Sequence, residues 1–387
     1  MAGTLHSTSH LRTANAAQVI RLLRDHGAMS RAELVRASGL TRPTVVAIVK
    51  SLLQDGLAIE SGTTPSSADE RGGRPGSLVW FNGEARTAVA ARFGFDVEFT
   101  HISASGAVLA QETHPTPPDP DALLAMAARE IRRMTRASGA LSSVALAVPG
   151  FIDHRAGAVT CAPLGWDRVP MQGPLEAALG VPVGLITLPN ATLLGEIISG
   201  AAVDHDDAVL VFLAHGIGAG VLTGGRLVVG TGGAVGELGH CPVSSGLPCG
   251  CGRVGCLETV AAGWAMRAEA SALLGRPELA HADLAQLEAL HDPRVDDVLR
   301  RASAELGAAT AWLVNLLDPS IVILAHTQFA EGAAAFFETF GASTRRHAVS
   351  TGLAIVPGSP DALLRGTIQR ALELLPEQLR PRRILCA

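Results

Sequence analysis

The sequence predicts an α/β protein in which a winged helix-turn-helix head, residues 1–82, precedes a larger body of alternating strands and helices, residues 83–387. Residues 13–52 hold short amphipathic segments with helix-capping residues at their starts and glycine turns between them. From Arg86 onward, short apolar runs alternate with amphipathic stretches, the pattern of mixed α/β layers. Charge also changes sign along the chain: residues 1–80 carry nine Lys+Arg against six Asp+Glu, and the remainder carries 22 against 30. The overall −5 is therefore a basic head on an acidic body. Such a split fits a head that meets an anionic polymer, although a fluctuation of three charges would look the same.

In the head, Thr13 to His26 reads as a helix with Val19, Ile20, Leu22 and Leu23 at helical spacing, closed by Gly27. Ser30 with Glu33 three residues on forms a capping box that opens a second helix. Ser38-Gly39-Leu40 makes a tight turn, and Thr41 caps a third helix with Pro43 in its first turn, where a missing N–H costs nothing. Val45, Ile48, Val49 and Leu52 form that helix's buried stripe. A helix, a glycine turn and a second helix make the helix-turn-helix pattern, whose second helix enters the major groove. Gly56 to Glu60 and Ser77 to Phe81 read as two wing strands around a tip containing Arg71-Gly72-Gly73-Arg74-Pro75-Gly76, suited to a narrow minor groove. The expected DNA contacts are Arg31, Arg42, Thr44, Lys50, Arg71 and Arg74. Each feature singly has a plainer reading, a packing module for the helices and a flexible linker for the tip; the combination with the charge favours nucleic acid.

In the body, strands are expected at 87–93, 97–102 and 107–112, then a helix from Asp121 to Ser138 and a strand from Ser143 to Val148. Another strand, Val181 to Thr187, leads to a helix from Asn190 to Ser199. Ala208 to Leu213 leads into the run His215-Gly216-Ile217-Gly218-Ala219-Gly220, then a short strand, Val221 to Leu222; a glycine-rich hairpin accounts for the run as well as a phosphate loop does. A strand at Ile321 to Leu324 and a C-terminal helix at 361–376 complete the pattern.

Mean hydropathy is +0.29, but no apolar stretch reaches the roughly 18–20 unbroken residues of a spanning helix, and no secretory signal is visible near Met1, so the expected location is cytoplasmic. Four of the six cysteines crowd into Cys241 to Cys256. In a reducing compartment such clustering favours a metal over disulfides. His240, Cys249, Cys251 and Cys256 offer one imidazole and three thiolates within 17 residues, a soft closed set that suits tetrahedral, structural Zn²⁺. Reduced buried thiols without metal are the alternative. Cys241 reads as a bystander, and Cys161 and Cys386 as plain thiols.

Taken in order, Ser30-Arg31-Ala32-Glu33-Leu34, Gly39-Leu40-Thr41-Arg42-Pro43-Thr44-Val45, Gly73-Arg74-Pro75-Gly76, Val148-Pro149-Gly150, Gly216-Ile217-Gly218-Ala219-Gly220 and Gly236-Glu237-Leu238-Gly239-His240 resemble the ROK family (repressor, open reading frame, kinase), in its branch with an N-terminal winged helix. Cys249-Gly250-Cys251-Gly252 through Gly255-Cys256-Leu257-Glu258, and Asn315-Leu316-Leu317-Asp318-Pro319, continue the series. The resemblance implies an actin-like, hexokinase-like body of two subdomains, here 83–188 with helix 361–376 and 189–360, around a sugar cleft. It implies a homodimer or homotetramer, and contacts to a sugar or sugar-derivative effector from Glu237, His240 and Glu258; support of the metal loop alone is the plainer role for the two glutamates.

The sequence departs from the family where a kinase does its chemistry. The family's catalytic base is the Asp of an Asn-Asp-Ala-Asn segment before a Gly-Glu pair; counting back from Gly195-Glu196 puts Leu188 there and Thr187 at the preceding Asn. Leucine accepts no proton, and general-base catalysis is worth roughly 10²–10⁴-fold. The first phosphate loop reads Arg92-Phe93-Gly94-Phe95-Asp96-Val97-Glu98, where Glu98 is expected to repel phosphate, and His215 replaces a threonine in the second. Ala325-His326-Thr327-Gln328 stands where paired glycines approach adenosine. The expectation is a DNA-binding regulator, a repressor in sign, with a catalytically degenerate sensing body and no enzymatic activity. The alternatives are an ATP-dependent sugar kinase with a DNA-binding head, and a regulator that responds to no sugar.

Overall fold

The computed structural model describes residues 8–63, 77–243, 247–326 and 334–380. The head comprises α1 (Thr8–His26), β1 (Met29–Ser30), α2 (Arg31–Ser38), α3 (Arg42–Gln54), β2 (Ala58–Thr63) and β3 (Ser77–Phe81). The Ser30–Glu33 capping box forms as the sequence requires, Gly39 turns out of α2 with φ 68°, and Thr41 caps α3. Val45, Val49 and Leu52 are buried, and Ile48 packs against them. The antiparallel wing gains a strand that the sequence reading left out, β1, which pairs Met29 with Val79 and Ser30 with Leu78. Two residues give too little pattern to read as a strand. The wing tip, with Arg71 and Arg74, lies outside the described residues.

The body starts with β4 (Arg86–Arg92), β5 (Asp96–Ser103), β6 (Val108–Pro115), α4 (Pro120–Thr135) and β7 (Ala140–Val148). A small three-stranded sheet follows, β8 (Phe151–Asp153), β9 (Ala158–Cys161) and β10 (Trp166–Pro170), then α5 (Gln172–Leu179), β11 (Val183–Thr187) and α6 (Leu188–Ser199). The second half holds β12 (Ala208–Leu213), β13 (Ile217–Thr223), β14 (Arg226–Leu227), α7 (Glu258–Ala261), α8 (Gly263–Leu274), α9 (Leu284–Glu288) and α10 (Pro293–Leu317). It ends with β15 (Ile321–His326), α11 (Ala334–His347), β16 (Ala354–Pro357) and α12 (Ala362–Glu373).

The two large sheets repeat one plan. Their orders are β11-β7-β4-β5-β6 and β16-β15-β12-β13-β14. In each, an antiparallel meander of three strands is extended by two parallel strands on the other side of the first. In each, a helix follows the last parallel strand, α6 in one and α12 in the other, and these two helices pack together at the centre of the body. Gly195 and Gly366 make that approach possible: a Cβ on Gly195 would strike the Ala362 carbonyl, and one on Gly366 the Ala191 carbonyl. The fully buried Glu196 carboxylate ties the pair further, accepting the Ser359 N–H, the Ser359 hydroxyl at 3.0 Å and the Ala201 N–H at 2.8 Å.

Two sequence expectations change here. Helix α6 starts at Leu188 rather than Asn190, because Thr187 acts as its N-cap, its Oγ1 accepting the Asn190 N–H at 3.4 Å. The glycine run is mostly strand, with Gly218 paired to Phe212 and Gly220 to Leu210. Its glycines let α6 lie close, since a Cβ on Gly218 would come 2.7 Å from Pro189 Cγ.

The head shares a core with the body. Val19, Ile20 and Leu23 of α1 belong to one buried cluster with Ala88, Ile102, Leu372, Leu375 and Leu379. Arg24 Nη2 donates to the Ala104 carbonyl at 2.7 Å across the same junction. Side chains of α12 and of the segment after it are therefore part of the head's core.

Candidate DNA-binding face, metal cluster and sugar cleft

The outer face of α3 is open to solvent among the described residues. Arg42, Ala47 and Lys50 are exposed, and Thr44 is half-buried with its hydroxyl 2.8 Å from that of Thr41. Val46 shares this face at 43% exposure and was missed in the sequence, where an apolar residue reads as core; a methyl-bearing side chain on a groove-facing helix suits thymine. Arg31 is placed differently. Its guanidinium grips the Glu60 carboxylate with bonds of 2.7 and 3.1 Å, so its charge is already matched and it braces α2 against the wing. Burial of this pair is partial, so the brace is worth little energy but fixes geometry.

His240, Cys249, Cys251 and Cys256 converge, with one ligand atom from each lying within 4.8 Å of the others. Cys249 Sγ is 3.7 Å from His240 Nδ1, and Cys251 Sγ is 3.6 Å from Cys256 Sγ, with no disulfide between them. The local chain makes this possible through a small hairpin. Pro248 bridges to Val254 and Pro242 to Cys256, while Cys249 N–H donates to the Arg253 carbonyl at 2.7 Å. His240 arrives from a single helical turn, Leu238 to His240. Three sulfurs and one imidazole nitrogen at this separation fit a tetrahedral ion of borderline softness. Cys241 is exposed and stands apart from the set.

His240 uses opposite ring edges. Nδ1 faces Cys249, and Nε2 lies 3.7 Å from Glu237 Oε2. Burial, and then the neighbouring Glu258 carboxylate, pushes the Glu237 carboxyl up to about 7. Glu258 Oε1 accepts the Ile217 N–H at 3.1 Å, which holds the carboxylate against the glycine turn. The two carboxyl groups thus offer acceptors for hydroxyl donors, and His240 Nε2–H, with Nδ1 turned to the cysteines, offers a donor beside Glu237. On α6, Asn190 is 6% exposed, and its Oδ1 is buried without a hydrogen-bond partner among the described residues. Nothing in the sequence marks such an unmet acceptor.

At the two loops that depart from the family pattern, Glu98 pairs with Arg92 at 3.1 Å and is not the free carboxylate the sequence suggests. Leu188, the first residue of α6, is partly buried against the apolar cluster that holds Ala191, Leu193 and Leu194. His215 lies 3.2 Å from Arg267 and against the Phe95 ring. His326 ends β15, and Thr327 and Gln328 lie outside the described residues.

The winged helix is thus joined by a common core to a duplicated two-sheet body that carries a Cys₃His cluster with Glu237 beside it. The ROK family model matches residues 94–351, and the chain belongs to the ROK family. A MarR family model matches residues 12–72. Among curated proteins, the chain is 28% identical over 330 residues to the xylose repressor of Bacillus subtilis, covering 81% of this chain and 82% of that protein. It is 29% identical over 334 residues to the DNA-binding transcriptional dual regulator NagC of Escherichia coli, covering 81% and 80%. Among solved structures it resembles a ROK family transcriptional regulator described as a homolog of the E. coli MLC protein, with TM-score 0.73, 25% identity, and coverage of 96% and 98%. The body also shares its fold with a ROK family glucokinase from Streptomyces griseus, with TM-score 0.63, 24% identity, and coverage of 74% and 99%.

Proposed function

We propose that this chain is a DNA-binding transcriptional regulator, a repressor, whose ROK body senses a sugar or sugar derivative and transfers no phosphate. The observation that carries this reading is the open face of α3 on a head whose core is continuous with the body. Arg42, Thr44, Val46 and Lys50 read the major groove, and the Arg71 and Arg74 segment enters the minor groove. Arg31 contributes by holding the wing to α2 through Glu60. A homodimer or homotetramer presents two such helices about 34 Å apart on a two-fold-related site.

His240, Cys249, Cys251 and Cys256 hold a structural Zn²⁺, which fastens a hairpin poor in apolar side chains. Glu237, His240, Glu258 and Asn190 receive the effector's hydroxyls, with His240 oriented by its metal-facing nitrogen. Effector binding changes the angle between the sheets across the α6–α12 contact, and α12 passes the change to α1 through the shared core. An effector that prefers one arrangement shifts operator affinity by the same factor. Leu188 in place of a proton acceptor supports the absence of catalysis.

Selection of bound fragments from the host genome by purified protein tests the assignment. Enrichment of a two-fold-related site is expected; recovery of unselected sequence contradicts it. A regulator that responds to no sugar is the second reading, favoured by Thr187 and Leu188 at the family's sugar-facing positions. Calorimetry with a panel of pentoses, hexoses and N-acetylhexosamines separates the two.

A further inference from the structure

Where the head meets the body, a cavity of about 470 Å³ opens between α1, β3, the turn after β5 and the end of α12, within the roughly 300–1,000 Å³ of small-molecule sites. Arg21, Arg24 and Arg380 line it against a single carboxylate, Asp25, and Trp80 and Phe81 supply ring surface. Arg24 is built in rather than loose. Its guanidinium lies 4.5 Å over the Phe81 ring and donates through Nη2 to the Ala104 carbonyl. Its Nε is buried with no hydrogen-bond partner among the described residues. Burial also lowers the pKa of Arg24, and the neighbouring Asp25 carboxylate offsets only part of that shift.

An unmet donor, a half-buried positive charge and two further arginines are satisfied together by an anion, and the exposed Trp80 indole offers a planar surface beside them. We infer that this junction cavity binds a small aromatic anion, a carboxylate or phosphate ester carried on a planar ring, with the anionic group on the arginines and the ring against Trp80. The site is separate from the sugar cleft. Because its walls belong to both head and body, its occupant is held by one head–body arrangement and is lost from any other. Operator affinity and anion affinity are therefore linked by one reciprocal factor.

Calorimetry on the full chain with phenyl phosphate and with benzoate tests this, the pair distinguishing phosphate from carboxylate. Inorganic phosphate and benzyl alcohol serve as anion-only and ring-only controls. Saturable one-to-one binding of at least one aromatic anion is expected. It should be at least about tenfold weaker in Arg21→Ala/Arg380→Ala and in Trp80→Ala. Both arginines are exposed, and the variant gives up one structural bond, from Arg380 Nε to the Leu375 carbonyl at 2.8 Å; an unchanged thermal midpoint checks that the fold is kept. Absence of binding by both probes, or equal binding by the double variant, overturns the proposal. So does loss of operator affinity in the double variant with anion binding intact, which would place these arginines on DNA phosphates.

Discussion

The Phe95 ring meets the His215 imidazole with centroids 4.8 Å apart and planes at 61°. The two residues occupy equivalent turns of the duplicated sheets, Phe95 between β4 and β5 and His215 between β12 and β13. An edge-on aromatic contact therefore spans the cleft where the family resemblance places the phosphate loops. Wild-type protein and Leu188→Asp should both leave ATP unconsumed with every hexose and N-acetylhexosamine supplied. Restoring a carboxylate does not clear the phosphate path, and sugar-dependent ADP release by either protein contradicts this.

The same imidazole gives the fold a pH dependence. Burial, and then Arg267, holds the His215 pKa below its usual value; burial likewise lowers those of His101, His154 and His326. Between the depressed folded value and the ordinary unfolded value of about 6.5, the unfolded chain binds more protons, so stability is complete above about 6.5 and is lost as pH falls. Thermal midpoints should decline from pH 7 to pH 5, less steeply in His215→Asn. A midpoint unchanged or higher at pH 5 counts against this.

The α6–α12 contact should tolerate no side chain at its crossing. Gly366→Ala would drive a methyl into the Ala191 carbonyl and should cost about 1–3 kcal/mol in denaturant unfolding, as overpacked cores do. An exposed helical glycine replaced by alanine would instead gain up to about 1 kcal/mol. The sign of the change decides whether the backbones touch here.

Zinc content offers a fourth check. Atomic emission should return one zinc per chain for the wild type and a substoichiometric value for Cys256→Ser, with a lower thermal midpoint. Metal binding in zinc-finger peptides is worth roughly 10–16 kcal/mol, and even a fraction of that shifts the midpoint by several degrees. Full zinc retention in Cys256→Ser would exclude the Cys₃His set.

On α3, Arg42→Ala should relax preference at one base pair by about 1–3 kcal/mol. Lys50→Ala should instead weaken all duplexes alike and reduce the salt slope by about one. Competition titrations at two salt concentrations separate these effects.

The helical head was legible because its signals are local: Ser30 and Glu33, Gly39 and Thr41 each act within one turn. The Cys₃His cluster was legible because its spacing is short. The matching strand orders of the two sheets were not, since they appear only once strands far apart in the chain are paired. Nor was the role of Gly218 or Gly366, which depends on α6 lying against partners distant in sequence. The contacts Arg31–Glu60, Arg92–Glu98 and Phe95–His215 likewise arise only when separate strands and turns are assembled. The sequence does not show that Arg31 meets Glu60 or that Glu98 meets Arg92, because composition does not say which opposite charge folds beside which.

The most direct test is the affinity of the full-length protein for its selected operator against a scrambled duplex of the same length and composition, by fluorescence anisotropy at physiological salt. A specific regulator should bind the operator at least about 10³-fold more tightly. Equal affinity for the two duplexes would reduce the basic head to non-specific electrostatics and contradict the assignment.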